Sequence, residues 1–195
     1  GCSGFNVFMS DNCELVTSSA DFDLDGLPDA CDDCPTNPDP ACEPEANFPT
    51  VSTEGSAARQ WNELLLESIR RDFARPTVHA RNLFHTSMGM WDAWAAYDET
   101  SCTYLLGNTI DGFTCDFDPI VPLPNDVPAA RAEAISYMAY RLLSHRFAAS
   151  NNASLLQMAY DAHMSTLGYD INVTSVDYSS GDPAALGNYI AECII

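Results

Sequence analysis

The sequence predicts a mainly α-helical protein, a helical bundle preceded by an irregular, disulfide-stapled loop module. Three observations carry that prediction. After residue 57, apolar residues recur at helical spacing in successive segments punctuated by Pro, Asp and Gly. Residues 1–46 are rich in Asp, Cys, Pro and Gly and sustain neither a helical nor an alternating period. The 195 residues, 46% hydrophobic and 18% charged, have ordinary globular proportions, which exclude a disordered tail or a collagen-like fibre. A chain of this size buries roughly 70% of the surface its unfolded form exposes, enough for one real core.

Taken in order, residues 1–46 form the loop module and 47–56, with Pro49 and several Ser and Thr, a linker. Residues 57–195 form the helical region. Trp61, Leu65, Ile69 and Phe73 recur every four positions and predict a helix from Ala57 to Arg75, ended by Pro76. Thr77 can cap a second helix running to about Tyr97, with Ala80, Phe84, Met88, Trp91 and Ala95 on one face. The Met and Trp stripe between Met88 and Trp94 reads as core. Residues 99–124 form a long loop, closed by a disulfide between Cys102 and Cys115. Asp126 and Pro128 start a third helix to Phe147, facing inward with Ile135, Met138, Leu142 and Leu143. Asn152 caps a fourth, which carries Leu155, Leu156, Ala159, His163 and Leu167 and ends at Gly168. Residues 170–178 read as a short strand. Asp182-Pro183 opens a last helix that reaches Cys193-Ile194-Ile195 with no terminating residue after it. That apolar end, with Tyr189 and Ile190, reads either as a patch for a missing C-terminal region or a second copy, giving a homo-oligomer, or as a helix end tucked into its own core.

Against 28 Asp and Glu stand eight Arg, four His and no Lys, a formal charge of -20. Nucleic acid is a poor partner, because its backbone is held by clustered cations and only Arg70-Arg71 are adjacent. No apolar run approaches the ~20 residues that span a bilayer, so no transmembrane segment is expected. Eight cysteines (Cys2, Cys13, Cys31, Cys34, Cys42, Cys102, Cys115 and Cys193) form an even set and point to an oxidising, extracellular or cell-surface location. Gly1-Cys2 reads either as the remnant of a lipoprotein cleavage site or as the start of a chain whose Cys2 is in a disulfide.

Residues 1–50 hold eleven carboxylates and no basic side chain, a self-repelling composition that calls for bound cations. Within it, Asp21, Asp23, Asp25, Asp29 and Asp32 occupy positions 1, 3, 5, 9 and 12 of a loop with Gly26 at 6. Alternate carboxylates on a tightly turning chain suit Ca²⁺, which takes six to eight oxygens, and the Leu27 carbonyl can add one. An EF-hand needs a helix on each side, and Cys34-Pro35-Thr36-Asn37-Pro38-Asp39-Pro40 cannot supply the second. The run from Asp21 to Asp39 resembles a thrombospondin type 3 repeat. The resemblance implies a calcium site on Asp21, Asp23, Asp25, Asp29 and Asp32, with Cys13 to Cys31 and Cys34 to Cys42 as the bridges.

Residues 58–98, with Ala132–Phe147 and Asp182–Ile194, resemble the N-terminal helical region of bacterial proteins related to vanadium-dependent haloperoxidases. The resemblance implies a larger helical enzyme that holds vanadate, or a phosphatase-like relative, and residues 57–195 would then be incomplete. The family's oxyanion motifs are missing. Ser68 stands where a Lys should precede Arg75-Pro76, Ser180-Gly181 is followed by Asp182, and no Arg has His six residues on. The expectation is therefore a calcium-binding protein with a structural or assembly role and no catalytic residue in this chain. The alternative is the N-terminal part of a haloperoxidase or phosphatase, with vanadate held by a C-terminal half or a partner. His79 and His85 are six apart and fall on different helix faces, unsuited to zinc. Arg81, His85 and Asp92 share one side and predict an interhelical hydrogen-bond network in preference to a catalytic group. Cys31-Asp32-Asp33-Cys34 lies inside the calcium loop and reads as structural disulfide positions rather than a redox pair. Asn152 and Asn172 head glycosylation sequons, relevant only in a glycosylating host.

Overall fold

A computed structural model describes residues 52–118 and 124–195. The chain divides into two units, residues 1–49 and 50–195. The second unit is mainly α-helical: α1 (Ala57–Arg70), α2 (Pro76–Ala95), β1 (Thr109–Ile110), β2 (Phe113–Thr114), α3 (Val127–Arg146), α4 (Ala153–Leu167) and α5 (Pro183–Ile194). The two strands form a small antiparallel hairpin in which Thr109 faces Thr114. Among the described residues no helix is long and apolar enough to cross a membrane.

α3 is the central element and packs against each of the other four helices. Its buried residues include Ala134, Ile135, Tyr137, Met138, Ala139, Leu142 and Leu143, so it is covered on more than the one predicted face. The Asp126 side chain accepts from the Ala129 N–H at 3.0 Å, and Pro128 sits in the first turn. α4 closes on Gly168, whose φ of 80° is the left-handed conformation that a glycine adopts without strain.

α5 lies unusually close to α3. A Cβ added at Gly187 would fall on the Ala134 carbonyl oxygen and 2.9 Å from Tyr137 Cβ. Backbone cannot move aside as a side-chain tip can. Gly187→Ala should therefore cost about 2–3 kcal/mol despite alanine's better helix propensity. Gly89→Ala should cost less, because its Cβ would meet the flexible ends of Met138 and Ile194. Urea denaturation of the two variants measures the difference, and equal midpoints would contradict the close approach.

Several expectations are corrected. The first helix stops at Arg70, not Arg75, because the Arg71 N–H already turns back to the Glu67 and Ile69 carbonyls; Phe73 is left half exposed. Pro76 then serves as the first residue of α2, which has no side-chain cap. The inward face of α2 is the polar and small one, His79, Asn82, Thr86, Gly89 and Ala93, while Phe84 is 52% and Trp91 46% exposed. Gly89 explains the rotation, since only a side without Cβ lets α2 approach Met138 and Ile194. Residues 170–178 form no strand. Their carbonyls are taken by side chains instead: Arg141 Nη2 donates to Ile171 and Val173 at 2.8 Å, and Asn188 Nδ2 donates to Val173 and Ser175.

The expected Cys102–Cys115 bridge is also wrong. Cys115 pairs with Cys193 on α5, 78 residues on, and Cys102 is an exposed free thiol. Tertiary contacts separate the two ends of the loop. Asp92 holds residues 104–106 against α2, whereas Tyr189 on α5 donates its hydroxyl hydrogen to the Asp116 carbonyl. The last helix has its apolar stripe in its own core: Ile190, Ala191 and Ile194 are buried and only Ile195 stands half exposed. The tucked-in alternative describes this end, and the unpartnered patch does not.

Candidate functional site

The calcium loop residues Asp21, Asp23, Asp25, Leu27, Asp29 and Asp32, and the cysteines Cys13, Cys31, Cys34 and Cys42, lie outside the described residues. Among the described residues no group of three or more His, Cys, Asp or Glu could hold a metal ion.

The positions aligned with the oxyanion motifs are engaged within the fold. Ser68, on α1, is fully buried and donates to the Leu64 carbonyl at 2.6 Å, so the Tyr160 hydroxyl, also at 2.6 Å, is the donor in their shared bond. Burial pushes the Tyr160 hydroxyl's pKa up. Four residues on, in the turn after α1, Asp72 receives Arg75 Nη2 at 2.6 Å. Burial disfavours the Asp72 carboxylate, yet hydrogen bonds from Arg75, the Phe73 backbone and Ser150 outweigh it and hold its pKa below the usual range. His79 Nε2 donates to the Phe73 carbonyl at 2.8 Å and stands 3.8 Å from Asp72. Asn152 Nδ2 reaches across from the start of α4 to the Arg71 carbonyl at 2.6 Å. This is a clasp that closes the α1–α2 turn. Arg75 Nη2 is spent on a carboxylate and the Ser68 proton on a carbonyl, while the buried Arg75 Nε has no partner among the described residues. Ser180-Gly181-Asp182 leads into α5, where the Asp182 side chain accepts from the Ala184 N–H.

The expected network of Arg81, His85 and Asp92 is not one network. Asp92 is fully buried and accepts from the backbone N–H groups of Tyr104, Leu105 and Leu106 at 2.5, 2.9 and 2.9 Å. His85 makes an interhelical contact, with Arg146 Nη2 3.1 Å from its Nδ1. Arg81 lies one turn before it, exposed.

Two polar anchors were missed in the sequence. Arg131 on α3 donates to the Trp94 and Tyr97 carbonyls and to Asp98, and lies 3.9 Å over the Trp94 ring. Hydrogen bonding, from Thr100 first and also from Arg131, holds the Asp98 pKa down to about 2. Arg141 ties Asn188 and residues 171–173 to α3. The available signal was scarcity: a chain with eight Arg and no Lys places three of them on one predominantly buried helix, where only a built set of acceptors makes a guanidinium tolerable.

Set against protein-family models, curated proteins and solved structures, the chain finds no match in any of the three.

Proposed function

We propose that the chain is a calcium-binding protein acting outside the cell or at its surface, with a structural or assembly role. The observation that carries this reading is the spacing of Asp21, Asp23, Asp25, Asp29 and Asp32 around Gly26, within a stretch of eleven carboxylates that has no basic residue. Such a stretch is self-repelling until a hard cation neutralises it. The Cys115–Cys193 disulfide in the helical unit supports an oxidising compartment. The helical unit is then a scaffold of the kind found at the N-terminus of haloperoxidase-like chains, without chemistry of its own. That part of the reading is supported by the way Ser68 and Asp92 spend their polar groups inside the fold.

Titration calorimetry tests it. Calcium should bind with a dissociation constant of about 0.1–1 mM, the range of extracellular modules. Asp25→Ala, which removes a ligand from the centre of the loop, should weaken binding about tenfold or more while leaving the helical circular dichroism unchanged. No heat of binding at millimolar calcium would refute the proposal.

A further inference from the structure

The two sequons, Asn152-Ala153-Ser154 and Asn172-Val173-Thr174, are treated differently by the fold. Asn152 stands just before α4 and is half-buried. Its Nδ2 donates to the Arg71 carbonyl at 2.6 Å and so ties the α1–α2 turn to the start of α4. A sugar bonded to that nitrogen would enter where the two segments meet and force them apart. Asn172 has no such restriction. It lies in the 170–178 segment, which is neither helix nor strand, and both it and Thr174 are exposed. Among the described residues its Nδ2 donates to Asp170 Oδ1 alone, at 2.8 Å, in an exposed contact that water replaces at little cost. Val173, between the two sequon residues, is the anchor. Its carbonyl receives Arg141 Nη2 and Asn188 Nδ2, both at 2.8 Å. The segment is therefore held through its backbone, and the side chains of Asn172 and Thr174 stay outside the anchor.

We propose that Asn172 is an acceptor for an N-linked glycan and that Asn152, despite its sequon, is not. A glycan is bulky and hydrated, so the folded chain tolerates it only where the acceptor faces solvent. The sugar donor is an oligosaccharide carried on a lipid diphosphate, the co-substrate of an oligosaccharyltransferase met during export. Asn172 Nδ2 forms a bond to C1 of the first sugar and gives up one hydrogen as a proton to a base of the transferase. The bond from C1 to the diphosphate oxygen breaks, and the lipid diphosphate leaves with that electron pair. The proposal rests on the export part of the proposed function and not on its calcium site.

The test secretes the full chain from a glycosylating eukaryotic cell line. Peptide N-glycosidase in ¹⁸O-water turns each glycosylated Asn into labelled Asp, and peptide mass spectrometry then gives the occupancy of both sites. Occupancy is expected to be about tenfold higher at Asn172 than at Asn152. Thr174→Ala should abolish the modification, and Ser154→Ala should leave it unchanged. Ser154→Thr makes the two sequons alike, and Asn152 should still stay unmodified, because the restriction lies in its half-buried amide and not in its hydroxyl partner. Ser154 is exposed, so both changes spare the Asn152 contact with Arg71. A glycan on Asn152 at a level comparable to Asn172, in the parent or in Ser154→Thr, overturns the proposal. So does a secreted chain that binds calcium and carries no glycan, an outcome that leaves the calcium reading standing.

Discussion

Replacing Asp92 with alanine is expected to destabilise the helical unit by about 4 kcal/mol, a larger loss than the close approach at Gly187 would exact from an added methyl group. The carboxylate has no exposure to water and receives three backbone N–H groups from residues 104–106. Removing it strands those donors, of which Leu105 and Leu106 belong to buried residues, and a buried donor without an acceptor costs about 1–3 kcal/mol. Asp92→Asn keeps one acceptor oxygen but turns an amide NH₂ toward the same donors, and should cost about half as much. Urea denaturation gives the loss, and hydrogen exchange at Tyr104, Leu105 and Leu106 locates it. A change below about 1 kcal/mol in Asp92→Ala would show that water replaces the carboxylate without penalty.

The second large effect belongs to the Cys115–Cys193 bridge. It links residues 78 apart, and on chain-entropy grounds a loop of that length contributes about 4 kcal/mol by restricting the unfolded state. The Cys115→Ala, Cys193→Ala double variant should therefore melt about 10 °C lower. It should also show faster exchange where the 115–118 loop meets α5 and the segment before it, at the Tyr189 contact with Asp116 and the Tyr178 contact with Asp118. Calorimetry of the variant decides the matter. A melting temperature within about 2 °C of the parent would mean that native packing, not the crosslink, holds the end of α5.

What could be read from the sequence was whatever local chemistry decides. Asp126 with Pro128, and Asp182 with Pro183, start helices because a carboxylate capping a free N–H and a proline in the first turn act within a few residues. Gly168 ends α4 because a left-handed residue is needed there. The inward face of α3 was legible because its apolar residues repeat at the helix period. The proposed calcium loop rests on the same kind of local signal, ligand spacing along one turn of chain.

Tertiary structure alone decided the rest. On α2 the apolar stripe predicted the wrong face, because close approach to α3 and α5 favours the side that holds Gly89 over the side that holds Phe84 and Trp91. Residues 170–178 had strand-like composition, but a strand exists only where another strand offers a ladder, and here Arg141 and Asn188 take the carbonyls. The thirteen-residue spacing of Cys102 and Cys115 was compatible with a bridge. Which cysteines meet depends on where Asp92 and Tyr189 pull the two ends of the loop, a long-range outcome that spacing along the chain does not encode.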